Sequence, residues 1–563
     1  MSTREAIQVV LFFLAVAALT PPVGRYMADV LEGRRSFLHP ILGWLERLFY
    51  AAGGIDPDTA MDWKAYSKAV LAFSVVCLLA VFGALFFQAS LPLNPAALPD
   101  LSWHLAFNTA ASFVTNTNWQ SYAGETTMSR FNQMLVLAVQ NFVSAAVGIA
   151  VAAALIRGLR SKGSASLGNF WADIVRLTTY LLLPLSFVFA LALVAQGVPQ
   201  TLGGDVKATT LEGAEQVIAL GPVASQEAIK QLGTNGGGYF NANSAHPYEN
   251  PTPWSDWMEL GAILLLASSL CWTYGVMVGS RRQGIALWAA MSLIFLVSCG
   301  VALTYETQAN AAQGTSTALE GKELRFGTAN SVVWGVATTV TSNGSVNAMH
   351  DSFRPLAGLI CLGNILLGEV VYGGVGSGLY GMLGFVLLTV FMAGLMVGRG
   401  PEALGKKVEA REVKLVVAIM LLPNAAVLIG SSLAVLLPQG LSSLNNAGPH
   451  GLSEILYAFA SAGQNNGSAF AGINANTPFY DTAMGLAILV GRFAPLFAVL
   501  AIAGSMATKK IAPPSAGSFP TDSPLFVALL CSVIIIVGVL TYLPAFSLGP
   551  IVEHLLMLQG RTF

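Results

Sequence analysis

The sequence predicts an all-α polytopic membrane protein with ten transmembrane helices, in which four pseudo-symmetric helix–pore loop–helix repeats surround one central pore, between one leading and one trailing helix. Of its 563 residues, 54% are hydrophobic and only 10% are charged, whereas soluble domains carry about 25% charged residues. Four Asn-containing turns recur at nearly regular steps, which indicates internal repetition. Long uncharged runs, several of which exceed the roughly 20 residues that a helix needs to cross a bilayer, lie at 69–99, 131–156, 177–204, 260–280, 283–305, 355–368, 370–398, 415–453 and 523–552.

The first apolar run, 7–23, is predicted to be a retained transmembrane helix. A signal peptide carries its positive charge before the apolar stretch, but here Arg4 is offset by Glu5 and Arg25 follows the run. Nineteen of the 28 Lys and Arg residues fall into five clusters that alternate with the four turns, and such clusters are typical of cytoplasmic loops. We therefore expect both termini and all four turns to lie outside.

Each repeat is predicted to contain a membrane helix, a half-helix, a turn and a second membrane helix. The half-helices, at 103–114, 225–232, 330–341 and 452–463, are too short to cross and too apolar to lie on the surface. We expect re-entrant loops that meet on one axis, because irregular backbone at membrane depth must be buried in protein or line a watery cavity. The predicted segments are 1–66 (first helix and cytoplasmic stretch), 67–160 (pore repeat 1), 170–282 (pore repeat 2), 283–400 (pore repeat 3 with an intramembrane gating loop), 412–508 (pore repeat 4) and 509–563 (linker and last helix).

The four turns are the candidate filter. Their residues are all uncharged, glycine lets backbone approach an ion closely, and rings of backbone carbonyls replace the hydration shell of K⁺. The half-helices also point their negative dipole ends at this site. The filter residues are Thr115, Asn116, Thr117 and Asn118; Thr234, Asn235, Gly236 and Gly237; Ser342, Asn343, Gly344 and Ser345; and Asn465, Asn466, Gly467 and Ser468.

One turn differs from the other three. Thr117 is expected to take the place of a glycine, so that the carbonyls of Thr117, Gly236, Gly344 and Gly467 coordinate the ion in a pseudo-fourfold ring. Gln120, three residues beyond, is expected either at the outer mouth of the filter or as a cap on its loop.

A glycine-rich break in the third repeat is the candidate gate. We expect an unwound loop at 373–381 beneath the filter, with Glu369 near the ion route, because intramembrane carboxylates are costly and usually functional. The alternative is a face of small residues for helix packing. Arg492, which repels cations, is expected to be a structural or gating partner, and Arg399 is assigned to the same region. The glycines of this break are Gly373, Gly374, Gly376 and Gly378.

Several functional classes lack their motifs. The chain has neither a GxxxxGK[ST] phosphate loop nor an Asp-Lys-Thr-Gly phosphorylation motif, so we expect no ATP-hydrolysing site and no nucleotide or organic cofactor in it. The five cysteines lie in apolar runs and are expected to be buried. His104, His246, His350 and His450 show no metal-ligand spacing, which argues against a membrane enzyme, while an assembly scaffold stays an alternative.

The turns and their flanks resemble a known family. The runs 113–120 (FVTNTNWQ), 233–247 (GTNGGGYFNANSAHP), 341–347 (TSNGSVN), 464–472 (QNNGSAFAG) and 398–407 (GRGPEALGKK) are similar to those of the potassium-binding A subunit of the bacterial Kdp potassium-transporting P-type ATPase. The resemblance covers essentially the full length of the chain.

This resemblance implies a member of the superfamily of K⁺ transporters that selects outside K⁺ and passes it inward across the bacterial inner membrane. Its partners would be an ATP-hydrolysing B subunit, a C subunit and a small single-span F subunit, with the lipid bilayer around them and no nucleic acid. Gly236, Gly344 and Gly467 match the filter glycines and Gln120 the filter-mouth glutamine, while the break in the third repeat matches the gating loop. The ion would leave sideways below the filter, toward the ATPase subunit. The alternative is a stand-alone, channel-like K⁺ or Na⁺ uptake protein of the same superfamily.

Overall fold

The computed structural model describes residues 3–308, 318–368, 370–396, 398, 400–511 and 519–561, without the side chains of Thr3 and Arg4. Its α-helices are, in chain order, α1 (Thr3–Leu31), α2 (His39–Gly53), α3 (Trp63–Phe86), α4 (Trp103–Val114), α5 (Gly124–Thr127), α6 (Ala138–Arg160), α7 (Phe170–Arg176), α8 (Leu183–Gln196), α9 (Val223–Leu232), α10 (Pro253–Met277), α11 (Arg281–Glu306), α12 (Thr328–Val340), α13 (Pro355–Leu366), α14 (Ser377–Met396), α15 (Ala410–Leu436), α16 (Pro438–Leu441), α17 (Gly448–Gly463), α18 (Pro478–Thr508), α19 (Pro524–Phe546) and α20 (Val552–Leu558).

Short segments of other kinds complete the fold. Two antiparallel hairpins pair β1 (Val206–Thr209) with β2 (Glu215–Ile218), and β3 (Glu402–Ala403) with β4 (Lys406–Lys407). Single 3₁₀ turns occur at Gln88–Ser90, Asn243–Ala245 and His350–Ser352, and π-helical turns at Asn132–Leu137, Leu177–Leu182 and Ser547–Ile551. The turn at Leu177–Leu182 joins α7 to α8, and the one at Ser547–Ile551 joins α19 to α20 with a kink at Gly549, while the turn at Asn132–Leu137 leads into α6.

Ten helical rods in the described ranges are long and apolar enough to cross a membrane, which confirms the predicted number. The molecule is therefore a multi-pass membrane protein. The rods are Glu5–Leu31, Trp63–Phe86, Asn132–Arg160, Phe170–Gln196, Pro253–Met277, Arg281–Glu306, Ser377–Met396, Ala410–Leu436, Pro478–Thr508 and Pro524–Leu558.

Four helices between these rods, α4, α9, α12 and α17, are the half-helices of the repeats. Helix α4 has the predicted bounds, while α9, α12 and α17 begin at Val223, Thr328 and Gly448, two to four residues before the predicted starts. Their lengths of 10 to 16 residues correspond to about 15–24 Å, which is less than the roughly 30 Å of a hydrocarbon core. Each ends inside the protein at a buried turn.

The repeats pack into a closed ring. Helix α18 of the fourth repeat lies against α4 and α6 of the first, and α14 of the third lies against α6 and α15. The leading helix α1 packs on α10, and the trailing helix α19 packs on α11 and α14. Both therefore stand outside the pore helices, as the predicted fold class requires. The division of the chain into six segments stays a prediction.

The second membrane helix of the third repeat is broken. Helix α13 ends at Leu366 and α14 begins at Ser377, so the described residues of the break are 367, 368 and 370–376. The prediction of an unwound loop at 373–381 is wrong for 377–381, because the amide of Gly378 already donates to the carbonyls of Gly373 and Gly374 and starts the helix. Gly378 suits this helix, since a Cβ there would lie 2.3 Å from the amide nitrogen of Gly373. Glu369 and Arg399 lie outside the described residues.

Candidate functional site

The four turns converge around one axis, and each touches the next in chain order. The contacts are so close that glycine is required where they occur. A Cβ would lie 1.9 Å from the carbonyl oxygen of Asn343 if placed on Gly236, 2.7 Å from that of Asn466 on Gly344, and 1.9 Å from that of Thr117 on Gly467. Between the first and second turns, Asn116 Nδ2 donates to the carbonyl of Thr234 at 3.0 Å, which closes the ring.

The backbone conformation shows which residues of the four turns are equivalent. Each turn has two residues with positive φ separated by one other residue: Asn116 and Asn118, Thr234 and Gly236, Ser342 and Gly344, and Asn465 and Gly467. Asn118, with φ 55°, therefore occupies the position of the three glycines. The expectation that Thr117 stands there is wrong by one residue. Asparagine fits because, after glycine, it tolerates left-handed backbone better than most residues.

Buried asparagine side chains tie each turn to a neighbouring repeat. Asn343 Nδ2 donates to the carbonyl of Lys230 at 3.2 Å, and Asn466 Nδ2 donates to that of Thr338 at 3.0 Å. In the first turn, Asn116 Nδ2 donates to the carbonyls of Gly233 and Thr234 in the second repeat, at 3.1 and 3.0 Å. These amides point into the protein and satisfy its backbone, so the groups left to face the axis are uncharged main-chain atoms.

A vestibule of about 860 Å³ opens above the ring, and it is lined by residues of all four turns, among them Asn118, Gly236, Gly344 and Gly467. Gln120 also lines it. The Gln120 side chain bonds twice to Gly238, donating to its carbonyl and accepting from its amide, each at 3.0 Å. It therefore lies at the mouth and also caps a loop, so that both sequence-based interpretations describe its position.

The charged residues of this vestibule are Lys322, Glu323 and Glu454. Lys322 lies 3.2 Å from a carboxylate oxygen of Glu306, and Glu323 lies 3.0 Å from the Arg325 guanidinium. Burial lowers the pKa of Lys322, and it raises the pKa of Glu454. The vestibule thus adds little unpaired charge directly above the ring.

The glycine-rich break of the third repeat lies directly beneath the ring. The amide of Val375 donates to Thr234 Oγ1 at 2.7 Å, so the loop is bonded to a filter residue. Gly376, with φ 102°, presses on α6, where a Cβ would lie 2.1 Å from the carbonyl carbon of Gly148. A Cβ on Gly374 would lie 3.9 Å from Asn116 Nδ2. This loop has the position expected of an intramembrane gate, and its gating role stays a prediction.

Arg492 lies beside the same loop. Its side chain is buried, and its guanidinium lies 3.1 Å from the position that a Cβ on Gly148 would occupy. The preceding Gly491 packs against the carbonyl of Gly463 at the end of the fourth pore helix. Arg492 therefore reaches the contact between α6 and the loop rather than the ring itself, which agrees with a structural or gating partner.

A buried charge network behind the second turn escaped the sequence analysis. Lys230 Nζ donates to Glu249 at 2.6 Å, to Glu227 at 2.9 Å and to Ser244 Oγ at 2.9 Å, and all four side chains are fully buried. The signal was present, because Glu227 and Lys230 stand three residues apart in a half-helix that is otherwise uncharged, and ionisable residues at membrane depth are usually functional.

This network is attached to the ring by main-chain bonds. The Lys230 carbonyl accepts from the amides of Asn235 and Gly236 and from the side chain of Asn343 in the next repeat. On the other side, Glu249 accepts from the amide of Phe240, which follows the turn. Lys230 thus connects the pore helix before the second turn, through its bond to Glu249, with the segment after the turn.

The fold and this ring define a multi-pass membrane protein whose four re-entrant loops meet in an uncharged ring. The model of the potassium-transporting ATPase A subunit family (KdpA) matches residues 10–555, and the chain belongs to that family.

Individual relatives agree with this assignment. The chain is similar to the potassium-transporting ATPase potassium-binding subunits of Rhodospirillum centenum, 55% identical over 100% of this chain and 99% of the relative, and of Pseudomonas aeruginosa, 53% identical over 99% of each. The crystal structure of the potassium transporter TrkH from Vibrio parahaemolyticus has a TM-score of 0.52 at 14% identity and covers 88% of this chain and 98% of that one. At that identity the likeness extends to the fold alone.

Replacing Gly344 by serine should weaken K⁺ affinity at least ten-fold and reduce the preference for K⁺ and Rb⁺ over Na⁺. A side chain there meets the carbonyl of Asn466 and requires a strained positive φ of 93°. Ion titrations followed by thermal unfolding provide the measurement. Gly300→Ser is the matched control, because no atom lies within 4 Å of its Cβ position. Unchanged ion preference in Gly344→Ser would mean that the ring is not the ion site.

Replacing Lys230 by methionine should lower both stability and K⁺ preference. It leaves the Glu227 and Glu249 carboxylates buried without their cation, a change that costs about 3–5 kcal/mol when buried pairs are broken in this way. The control is Lys406→Met, which removes a buried lysine that, within the described part of the chain, donates to the carbonyls of Gly158 and Met506 and to no carboxylate. We expect that variant to lose stability while its K⁺/Na⁺ preference stays at the wild-type value. An equal loss of preference in both variants would contradict a specific role for Lys230.

Proposed function

We propose that this chain binds outside K⁺ in the four-turn ring and delivers it inward as the potassium-translocating subunit of an ATP-driven, high-affinity K⁺ uptake pump. The observation that carries this proposal is the convergence of four uncharged turns on one axis inside the membrane protein. Main-chain oxygens without a fixed charge suit K⁺, because they replace its water ligands without holding the ion too tightly.

The register of the turns supports a specific set of ligands. Carbonyls of Thr117, Asn343 and Asn466 approach the glycine of the preceding turn around the ring, and Asn235 occupies the same position in the second turn. We assign these four carbonyls to one ring of ion ligands. The carbonyls of Asn118, Gly236, Gly344 and Gly467 form the neighbouring ring on the vestibule side, where Gly236 also accepts a bond from Asn243 at 2.7 Å.

The energy for uptake would come from other subunits. The relatives are named as potassium-binding subunits of potassium-transporting ATPases, and the present sequence lacks a phosphate loop and a phosphorylation motif. We infer an ATP-hydrolysing B subunit, a C subunit and a small single-span F subunit as partners in the bacterial inner membrane. In this arrangement both termini and the vestibule face outside, and the ion leaves sideways below the ring, toward the B subunit.

Ion-dependent stability tests the binding part of this proposal. A ligand that binds only the folded state stabilises it by RT ln(1 + [L]/Kd), so K⁺ and Rb⁺ should raise the midpoint of thermal unfolding more than Na⁺ does at the same concentration and ionic strength. The Gly344→Ser variant is the matched control and should lose this difference. Equal effects of all three salts on the wild type would contradict a K⁺-selective site.

Purification of the complex tests the coupling part. Affinity purification of this chain from its own membranes should recover a second chain that is phosphorylated by ATP, and K⁺ uptake by vesicles containing the complex should require ATP. Vesicles containing this chain alone should take up no K⁺ under an applied membrane potential. Rapid potential-driven uptake by the isolated chain would favour the alternative, a stand-alone channel-like transporter.

A further inference from the structure

A cluster of one histidine and three carboxylates lies at the outer wall of the vestibule. His450 Nε2 is 2.7 Å from Asp351 Oδ1, and His450 Nδ1 is 2.8 Å from Glu553 Oε1. Together with Glu454 we call these residues the outer histidine cluster. It joins the fourth pore helix to the loop after the third turn and to the C-terminal helix α20.

Three members of the cluster have the geometry of metal ligands. His450 and Glu454 stand four residues apart on α17, a spacing that puts two side chains on one helix face and recurs in zinc sites. Asp351 comes from the 350–352 turn, which is anchored by the bond from its own amide to the carbonyl of Phe470 at 2.9 Å. One ligand atom from each of the three residues lies within 4.8 Å of the other two.

The fourth member, Glu553, orients the histidine. Glu553 Oε1 is hydrogen-bonded to His450 Nδ1, and the opposite ring nitrogen, Nε2, therefore faces Asp351. A carboxylate that accepts from the far nitrogen of a metal-bound histidine is a general feature of zinc sites, where it fixes the ring and raises its basicity. Phe470 stacks against the same ring at 5.7 Å between centroids and further limits its orientation.

Glu454 gives an independent indication of a ligand. Glu454 is only 1% exposed. Its Oε1 accepts from Asn446 at 2.8 Å, whereas its Oε2 has no hydrogen-bond partner among the residues that the structure describes. A buried carboxylate oxygen without a partner is costly. Glu454 also lines the vestibule, so an ion that enters from outside can reach it.

We propose that Asp351, His450 and Glu454 bind one divalent transition-metal cation of the Zn²⁺ type. Two carboxylates neutralise its charge and the imidazole provides the nitrogen ligand that such ions prefer over Ca²⁺ and Mg²⁺. Binding displaces the proton on His450 Nε2 to solvent, and the metal takes its place between the imidazole and Asp351. The occupied site links the fourth pore helix to the loop behind the third turn, so it stabilises the outer wall of the vestibule without touching the ring.

Calorimetric titration of the EDTA-treated, full-length protein with ZnCl₂ tests this site directly. We expect one equivalent to bind, and to bind at least ten-fold more tightly at pH 8 than at pH 6 because a proton is displaced. His450→Gln and Glu454→Gln should each weaken this binding at least 30-fold. Glu553→Gln should weaken it by roughly 10–100-fold, as is usual when the partner of a metal-bound histidine is removed.

The chain contains a matched control in the first pore helix. His104 Nδ1 lies 2.7 Å from Asp481 Oδ2, but neither residue belongs to a group that could hold a metal among the described residues. His104→Gln should therefore leave Zn²⁺ binding unchanged. Each variant must also keep the wild-type stabilisation by K⁺, which reports an intact ring and separates this site from the proposed function. Glu454→Gln serves as the second variant if His450→Gln does not fold, since an amide oxygen can keep the bond to Asn446.

Three outcomes would overturn the proposal. The first is no Zn²⁺ binding tighter than that of the Glu454→Gln variant. The second is an equal loss in His104→Gln, which would indicate general histidine binding. The third is equal binding of Mg²⁺, which would indicate a carboxylate site that does not use the imidazole.

Discussion

Backbone that leaves a helix inside a bilayer must find its hydrogen-bond partners in the protein, because the hydrocarbon offers none. The four turns meet this requirement through one repeated position in the pore helices, occupied by Ser112, Lys230, Thr338 and Ser461. The carbonyl at this position accepts from the amide five residues later in every repeat. In the third and fourth repeats its hydroxyl also accepts from the amide of the filter glycine, at 2.9 and 3.0 Å. The turns that follow them thus explain the hydroxyl side chains of Thr338 and Ser461 inside their buried pore helices.

The same position explains why the second repeat carries charge. Lysine has no acceptor in its side chain, so Lys230 cannot bond to the amide of Gly236 as Thr338 and Ser461 do to the corresponding glycines. Its ammonium turns instead to Glu227 and Glu249, and the Gly236 amide has only the long bond of 3.4 Å to the Lys230 carbonyl. Buried ion pairs of this kind contribute little net stability but strongly penalise any change that separates them. The second turn is therefore held by charge where the third and fourth turns are held by hydroxyl groups.

The membrane helices and pore helices could be predicted from sequence because length, charge and turn residues are local properties. Other features could not. The Thr115-Asn116 pair of the first turn matches Thr234-Asn235 by residue type, whereas the positions of positive φ align Asn118 with Gly236, which shifts the match by one residue. The glycine-rich stretch signals a break but not its boundary, because Gly378 is helical where it packs on Gly373. Glu227 and Lys230 give a local signal of the charge network, but the contact of Lys230 with Glu249 and those of His450 with Asp351 and with Glu553 join residues that are distant in sequence, so only the fold shows them.

The departures from fourfold symmetry are concentrated where the ring meets the rest of the molecule. Among the residues that the structure describes, the third repeat alone has its second membrane helix broken, and the loop of that break is bonded to Thr234 of the second turn through the Val375 amide. Thr234 is the first of the two residues with positive φ in its turn. If the loop moved away, Thr234 Oγ1 would lose the hydrogen bond from the Val375 amide. Gly376 and Gly148 bring the loop and α6 into direct backbone contact, which fixes the loop between this helix and the second turn. Four identical subunits could not provide one such loop, whereas a single chain with four diverged repeats can place it against one turn and keep the ring intact.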